Sequence, residues 1–205
     1  MIESKTKNYP LVIGIDISTG TRSNIGVAVI RIKENQPTEI IEAFDFSVPS
    51  NPELRVRAKY IAAKFATFFK KLEEANEDYI IGIENTILPG KANQQLQRVI
   101  GAVLIVMPAH RPIIEVYPTQ VKLHITGKGA GSDKKVVAEG LKKWFNNSDL
   151  LRLLTASSRW DATDAIGVAV TVNTLLKGIQ SNVKKSQILP NVKLGKTKQK
   201  KLNKS

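Results

Sequence analysis

The feature that most constrains this chain is an apolar run at residues 12–18 (VIGIDIS) that carries one carboxylate, Asp16, near its carboxyl end. Runs of this kind are typical of strands that are buried on both faces of a sheet. A second run, Tyr79–Glu84 (YIIGIE), also ends in an acid. A carboxylate at the edge of an apolar scaffold is unfavourable unless a cation or a hydrogen-bond donor neutralises it. The two runs therefore predict a cation or donor site at one edge of a sheet.

A third acidic element, Asp161 and Asp164, opens an apolar stretch that is expected to be a helix. Residues three apart in a helix share a face, so two like charges are held close together there. Oxygen-only ligands favour Mg²⁺ or Mn²⁺ over zinc. Two such ions, roughly 3.5–4 Å apart, would activate a water and stabilise the leaving 3′-oxygen of a phosphodiester. The structural alternative is that Asp161 is simply a first-turn acid favoured by the helix dipole.

The net charge of +13 is unevenly distributed over the 205 residues. We predict a polar extension at 1–10, one domain at 11–180 and a basic tail at 181–205. The tail has eight lysines and no acid, which leaves +5 for the rest of the chain. Little apolar content predicts that the tail is disordered. This charge favours nucleic acid as the partner, although basic tails also serve solubility or contact with membrane surfaces.

Several functional classes are disfavoured by what the sequence lacks. There is no cysteine, which excludes disulfides, zinc–thiolate sites and thiol nucleophiles. No apolar run approaches the ~18–20 residues that cross a membrane, and residues 1–10 carry no signal-peptide core. We therefore expect a cytoplasmic protein without a membrane partner.

The periodicity predicts an α/β domain. Short connections between the first three strands predict an antiparallel meander, and the later alternation of helix and strand predicts a mixed sheet with helices on both faces. The predicted strands are 11–18, 25–32, 39–48, 79–84 and 112–117. The predicted helices are one opening at 49–52 with Ser50 or Asn51 as cap, then 91–107, 119–125, one that Ser132 or Asp133 caps and that ends near 146–147, and 159–177.

The acidic motifs, in this order and spacing, resemble those of the RuvC-type Holliday junction resolvases, within the ribonuclease H-like (retroviral integrase) superfamily. The motifs are Gly14-Ile15-Asp16, Ile83-Glu84 and Asp161-Ala162-Thr163-Asp164-Ala165. The segment 117–122 (YPTQVK) and the glycine-rich loop before Lys134 are also similar. The resemblance covers about residues 11–177 and implies a five-stranded mixed sheet flanked by helices.

The resemblance also implies a site and a reaction. Asp16, Glu84, Asp161 and Asp164 match the family's metal-binding catalytic carboxylates, with Mg²⁺ as the cofactor and Mn²⁺ as a substitute. Lys122 and Lys134 match its basic residues near the scissile phosphate. The family acts as a homodimer, which here would pair through the helix at 91–107 if apolar positions of that helix lie outside the monomer core. Paired nicks across a four-way DNA junction, made by in-line attack of water, leave 5′-phosphate and 3′-hydroxyl ends.

Further residues are candidates for DNA contact. Lys128, Lys135 and Arg159 lie beside the matched motifs, although each also fits an ordinary solvated side chain. Where the family often has an aromatic wedge three positions after the Glu, this chain has Ile87, followed by Leu88, so we expect an aliphatic wedge or none. Together with changed turn lengths, this departure favours a divergent member, such as one encoded by a bacteriophage.

Three other readings remain open from the sequence. Residues 14–21 resemble the first phosphate-binding turn of sugar kinases and actin-like ATPases, but those proteins are about twice as long and need a second such turn. A nucleotide partner is therefore not expected. A binding-only protein that recognises branched DNA would not need all four acids. A nuclease of the same superfamily that acts on RNA–DNA hybrids or flaps would share the metal site, so the acids do not separate it from a resolvase.

Overall fold

A computed structural model describes residues 11–17, 24–32, 38–50, 53–85, 90–129, 133–142, 144–145 and 160–182. Its strands are β1 Leu11–Asp16, β2 Asn24–Arg31, β3 Glu39–Ser47, β4 Tyr79–Glu84 and β5 Ile113–Val116. Its helices are α1 Leu54–Glu74, α2 Gly90–Val106, α3 Pro118–Thr126, α4 Lys134–Lys142 and α5 Trp160–Asn182.

The five strands form one mixed sheet in the order β3-β2-β1-β4-β5. The first three strands are antiparallel neighbours, whereas β4 pairs parallel with β1 and β5 pairs parallel with β4. The predicted α/β fold with an antiparallel meander is confirmed. Because β1, β4 and β5 run in the same direction, their carboxyl ends lie at one edge of the sheet.

Helices cover both faces of the sheet, as the sequence predicted. Side chains alternate along β1, so Val12 packs on one face and Ile13 and Ile15 pack on the other. The Val12 face is covered by α5, with α3 and α4 beside it. The Ile13 face is covered by α1 and α2. Burial on both faces explains why β1 and β4 are almost continuously apolar.

Three glycines allow α5 to lie directly on the sheet. A Cβ on Gly26 would overlap the backbone carbonyl of Asp161, and a Cβ on Gly14 would overlap that of Ala165. A Cβ on Gly82 would lie 2.6 Å from a methyl group of Val172. Since no side chain stands between helix and strands, the first turn of α5 lies over the end of β1. The glycines thereby set the place of the acidic pair of α5.

Several predicted boundaries differ from the structure. The residue that caps α1 is Glu53, so neither Ser50 nor Asn51 has that role, and no side-chain capping bond forms there. The predicted helix end near 146–147 is also wrong, because α4 ends at Lys142 and the chain then turns so that Phe145 is buried. The last helix continues to Asn182, five residues beyond its predicted end.

Two of the predicted segments lie mostly outside the described residues. The extension at 1–10 lies wholly outside them, and the tail at 181–205 lies outside them except for Ser181 and Asn182, which continue α5. The three-part division of the chain thus stays a prediction. Within the described ranges, no helix has both the length and the apolar character that crossing a bilayer requires.

At the opposite edge of the sheet, the side chain of Arg111 links the end of α1 to the start of β4. Its guanidinium lies 2.9 Å from Glu73 and 2.6 Å from Asp78, and it stacks 4.3 Å from the ring centre of Tyr79. The Tyr79 hydroxyl donates to Glu73 at 2.6 Å. The hydrogen bonds from Arg111 and Tyr79 hold the pKa of Glu73 below its ordinary value. We call these four residues the Arg111 cluster.

Candidate metal centre

Three of the four predicted acids converge at the carboxyl edge of the sheet. Asp16 is the last residue of β1, on the face that α5 covers, and pairs opposite Gly26 of β2. Asp161 and Asp164 lie in the first turn and a half of α5. One carboxylate oxygen from each of the three aspartates lies within 4.8 Å of the others. This spacing is compatible with shared coordination of a divalent cation.

Glu84 flanks this group from the neighbouring strand. It ends β4, which pairs in parallel register with β1, so it follows Ile83 just as Asp16 follows Ile15. Alternation from Ile80 directs it to the α5 face. Within the described ranges, Glu84 is outside the trio whose oxygens lie within 4.8 Å. Its charge nevertheless raises the pKa of Asp16.

The electrostatics of the cluster favour an additional cation. Burial raises the pKa of Asp16 well above its ordinary value, and the negative charges of Glu84, Asp164 and Asp161 raise it further. Burial also raises the pKa of Asp164, and this effect outweighs a hydrogen bond from Lys134. Nearby lysines therefore do not compensate these carboxylates fully. The oxygen donors, their spacing and their excess charge all fit a hard divalent ion such as Mg²⁺.

Among the described residues, Lys134 is the cation nearest to the acids. It is the first residue of α4, and its Nζ lies 2.8 Å from Asp164 Oδ2 and 4.0 Å from Asp161 Oδ1. Burial opposes its charge, but the hydrogen bond to Asp164 and the negative charges of the three aspartates together outweigh burial and raise the pKa of Lys134. About half of its side chain is exposed to solvent.

Lys122 reaches the same region from α3. It is partly buried, and its charge lowers the pKa of Asp164. Its carbonyl accepts a bond from the Thr126 hydroxyl at 2.8 Å, and Gly127, whose φ of 75° suits glycine, caps the carboxyl end of α3. Lys128 follows in the next turn and is exposed. Lys122 is therefore the lysine of α3 whose charge acts on the acidic cluster.

The remaining predicted DNA-contact residues are less well located. Lys135 is exposed at the start of α4, next to Lys134. Arg159, Ile87 and Leu88 lie outside the described residues, so their predicted roles in DNA binding stay predictions.

The predicted dimer helix contributes most of its apolar side to the monomer. Its apolar residues Leu96, Val99, Ile100 and Val103 are buried against the sheet. Ile105 is 85% exposed, which is much for a large apolar side chain on a helix. Two protomers that pair through α2 must therefore contact each other on the side that carries Ile105, because the core positions are already buried in the monomer.

The role of the glycines at the site is one that the motif reading missed. Gly26 and Gly82 were read only as parts of strands, yet both let α5 approach the sheet. The sequence carried a signal for Gly82, as for Gly14, because each precedes a strand-end acid by two positions and therefore shares its face, whereas Gly26 precedes Ala28 and had no such signal.

Comparison with known proteins gives the site a context. No protein-family model matches the chain. A crossover junction endodeoxyribonuclease RuvC from Thermotoga maritima is 25% identical over 166 residues, which cover 77% of this chain and 87% of that protein.

Two solved structures of Thermus thermophilus RuvC have a similar fold. One, in complex with a Holliday junction substrate, has a TM-score of 0.61 at 20% identity and covers 80% of this chain and 92% of its own. The other has a TM-score of 0.60 at 17% identity and covers 83% of this chain and 96% of its own. The similarity extends over nearly the whole length of each relative.

Proposed function

We propose that this chain, a divergent homologue of RuvC, is an endonuclease that resolves four-way DNA junctions and related branches by paired nicks. The observation that carries the proposal is the convergence of Asp16, Asp161 and Asp164 at the edge of a fold similar to RuvC. The basic charge of the chain fits a DNA substrate. The products are 5′-phosphate and 3′-hydroxyl ends.

The metal would be held by the three aspartates together with Glu84. We propose Mg²⁺ as the ion, two per site, with Mn²⁺ as a substitute, because every candidate ligand is a carboxylate oxygen. Bound in this way, the ions supply an activated water and positive charge for the leaving 3′-oxygen. The fit rests on the donor set and its spacing. Burial, as the largest cause, raises the pKa of Asp16 and of Asp164, so a bound cation would stabilise their charged forms.

The lysines beside the acids would bind and orient the DNA backbone. Lys134, half exposed and hydrogen-bonded to Asp164, can present its remaining N–H donors to the scissile phosphate. Lys122 adds positive charge on the same side. Lys128 and Lys135 extend the basic rim outwards, and Arg159 is proposed to continue it. These contacts would hold the phosphate over the carboxylates, so that water attacks in line with the leaving oxygen.

Two sites are needed for two symmetric nicks. We propose that the chain acts as a homodimer that uses the exposed side of α2, where Ile105 projects. Ile87 and Leu88, just before α2, would then be placed to contact the junction as an aliphatic wedge. We place the reaction in the cytoplasm, whereas a bacteriophage origin stays a prediction with no further support.

The test is cleavage of a labelled, immobile four-way junction in Mg²⁺, with linear duplex, Y-fork and RNA–DNA hybrid as controls. We expect symmetric nicks on opposing strands that ligase can seal. Cleavage of forks as well would indicate selectivity for branches without strict junction specificity, whereas cleavage of the hybrid alone would indicate another nuclease of the superfamily. Tight junction binding without cleavage in Mg²⁺ or Mn²⁺ would contradict the proposal and favour a binding-only protein. Binding of ATP–Mg²⁺ in place of DNA would favour the kinase-like reading.

A further inference from the structure

We propose that Asn85 is a positioning residue for Glu84, because it joins α2 to β5 behind the strand end that carries this acid. The inference rests on the proposed function, since it assigns Glu84 to the metal centre. It concerns three polar side chains on three different elements: Asn85 after β4, Gln97 on α2 and Glu115 on β5. We call these three residues the Asn85 relay.

The relay is a continuous chain of hydrogen bonds. Asn85 Nδ2 donates to Glu115 Oε2 at 2.8 Å, and Gln97 Nε2 donates to Asn85 Oδ1 at 3.0 Å. The backbone N–H of Asn85 also donates to the carbonyl of Val116 at 2.9 Å. Both ends of one side-chain amide and its backbone donor are thus engaged. The residue directly after Glu84 is held from α2 and β5 at once.

The relay lies on the side of the sheet opposite to the metal centre. Glu84 shares the α5 face with Ile80, whereas Glu115 pairs beside Ile83, whose side chain faces α1 and α2. Since successive residues of a strand point to opposite faces, Asn85 points towards α2 when Glu84 points towards α5. A shift of Asn85 would therefore tilt the end of β4 and move the Glu84 carboxylate in the opposite sense.

The relay has a fixed polarity. An ionised Glu115 can only accept hydrogen bonds, so Asn85 must turn its amide nitrogen towards it. The Asn85 oxygen then faces Gln97, which must donate. A carboxylate at position 97 would leave Asn85 between two acceptors with a donor at only one of its ends. The relay can therefore be tested by reversing the direction of its hydrogen bonds as well as by deleting it.

The experiment compares four variants of the full chain with the wild type. Asn85→Ala deletes the relay, and Gln97→Glu breaks its polarity. The double change Gln97→Glu with Glu115→Gln reverses it, because an amide at position 115 can donate to the Asn85 oxygen while the Asn85 nitrogen donates to a carboxylate at position 97. Gln94→Glu makes the same chemical change at an exposed position of α2 and is the matched control. Three quantities are measured: Mn²⁺ affinity of the DNA-free protein by electron paramagnetic resonance, junction affinity in Ca²⁺, and single-turnover cleavage in Mg²⁺.

We expect Asn85→Ala and Gln97→Glu to weaken Mn²⁺ binding and to slow cleavage by about 10-fold, as loss of an outer-shell partner of a metal ligand does. Junction affinity should stay unchanged, and the double variant should recover both losses. A double variant no better than Gln97→Glu alone would overturn the inference, as would wild-type Mn²⁺ affinity in Asn85→Ala. If the thermal midpoint shows that Asn85→Ala does not fold, Gln97→Glu and the double variant decide the question, because both of them change exposed side chains only.

The outcomes also separate this inference from the proposed function. A wild type that binds Mn²⁺ but cuts no junction would contradict the nuclease proposal, and the series of Mn²⁺ affinities would still decide the role of Asn85. A wild type without Mn²⁺ affinity would overturn both.

Discussion

The two edges of the sheet hold acids in opposite electrostatic states. At the amino edge of β4, Arg111 and Tyr79 donate hydrogen bonds to Glu73 and hold its pKa below the ordinary value. At the carboxyl edge, burial raises the pKa of Asp16 and of Asp164, although Lys134 lies beside them. The Arg111 cluster is saturated by partners from its own chain, whereas the acids at the other edge are not. The first group of acids therefore stabilises the fold, whereas the second group is available to bind a cation.

The largest expected effect comes from removing one carboxylate at the carboxyl edge, where the acids are not fully compensated. Asp16→Asn keeps the shape of the side chain but weakens metal ligation, and the loss of several kcal/mol of charge stabilisation corresponds to about 10³-fold in rate. Glu84→Gln, Asp161→Asn and Asp164→Asn should have the same consequence. Junction binding should persist, as measured by gel shift in Ca²⁺. Circular dichroism provides the control, because loss of binding together with unfolding would point to a structural role.

The second prediction concerns a variant that shifts the acids of α5 without replacing them. Gly26→Ala forces a Cβ into the backbone of α5 at Asp161, and overpacking of this kind costs about 3 kcal/mol. We expect a lower thermal midpoint and slower cleavage, because the first turn of α5 must shift. Gly101→Ala is the matched control for the thermal midpoint, since open space surrounds that position and alanine favours a helix. Equal loss in both variants would contradict the view that Gly26 seats the acidic turn.

The third prediction concerns the loss of the Arg111 cluster at the opposite edge of the sheet. Arg111→Met removes the ion pairs to Glu73 and Asp78 and the stacking on Tyr79. We expect a loss of about 2 kcal/mol in urea unfolding, less than for a fully buried pair because both acids are partly exposed. Cleavage below the melting range should be unchanged. His110→Ala, which removes an exposed neighbour of Glu73, should cost much less.

The smallest expected effect is the pH dependence of the Arg111 cluster. Since the folded-state pKa of Glu73 lies below its ordinary value of 4.5, its contribution to stability is present above pH 4.5 and is lost as the pH falls through the lower, folded-state pKa. Glu73→Gln should therefore flatten this part of the acid limb in unfolding midpoints measured between neutral and acidic pH. Arg111, Tyr79 and His110 face this carboxyl, so an unchanged acid limb would mean that they do not stabilise its charged form.

Much of the framework was predictable from local pattern. The run at 79–84 was predicted with both of its ends correct, and β1, β2, β3 and β5 were predicted within about two residues, because burial on one or both faces imposes a clear hydrophobic pattern. The N-cap of α1 was not predictable, since Glu53 makes no side-chain capping bond at the start of the helix. The Arg111 cluster and the Asn85 relay gave no signal, because their members lie up to 38 residues apart in sequence.

The sequence by itself determined the strand periodicity, the chain order of the elements, and the acids that stand where strands end and a helix begins. Those properties follow from alternation, helical spacing and turn chemistry, which are local. Only the tertiary structure decided that α5 rests on Gly14 and Gly26, which brings Asp161 and Asp164 to Asp16. It also decided that α2 turns its apolar side to the core and its Gln97 to Asn85. Such contacts depend on how closely two elements can approach, and this is set by the side chains that lie between them.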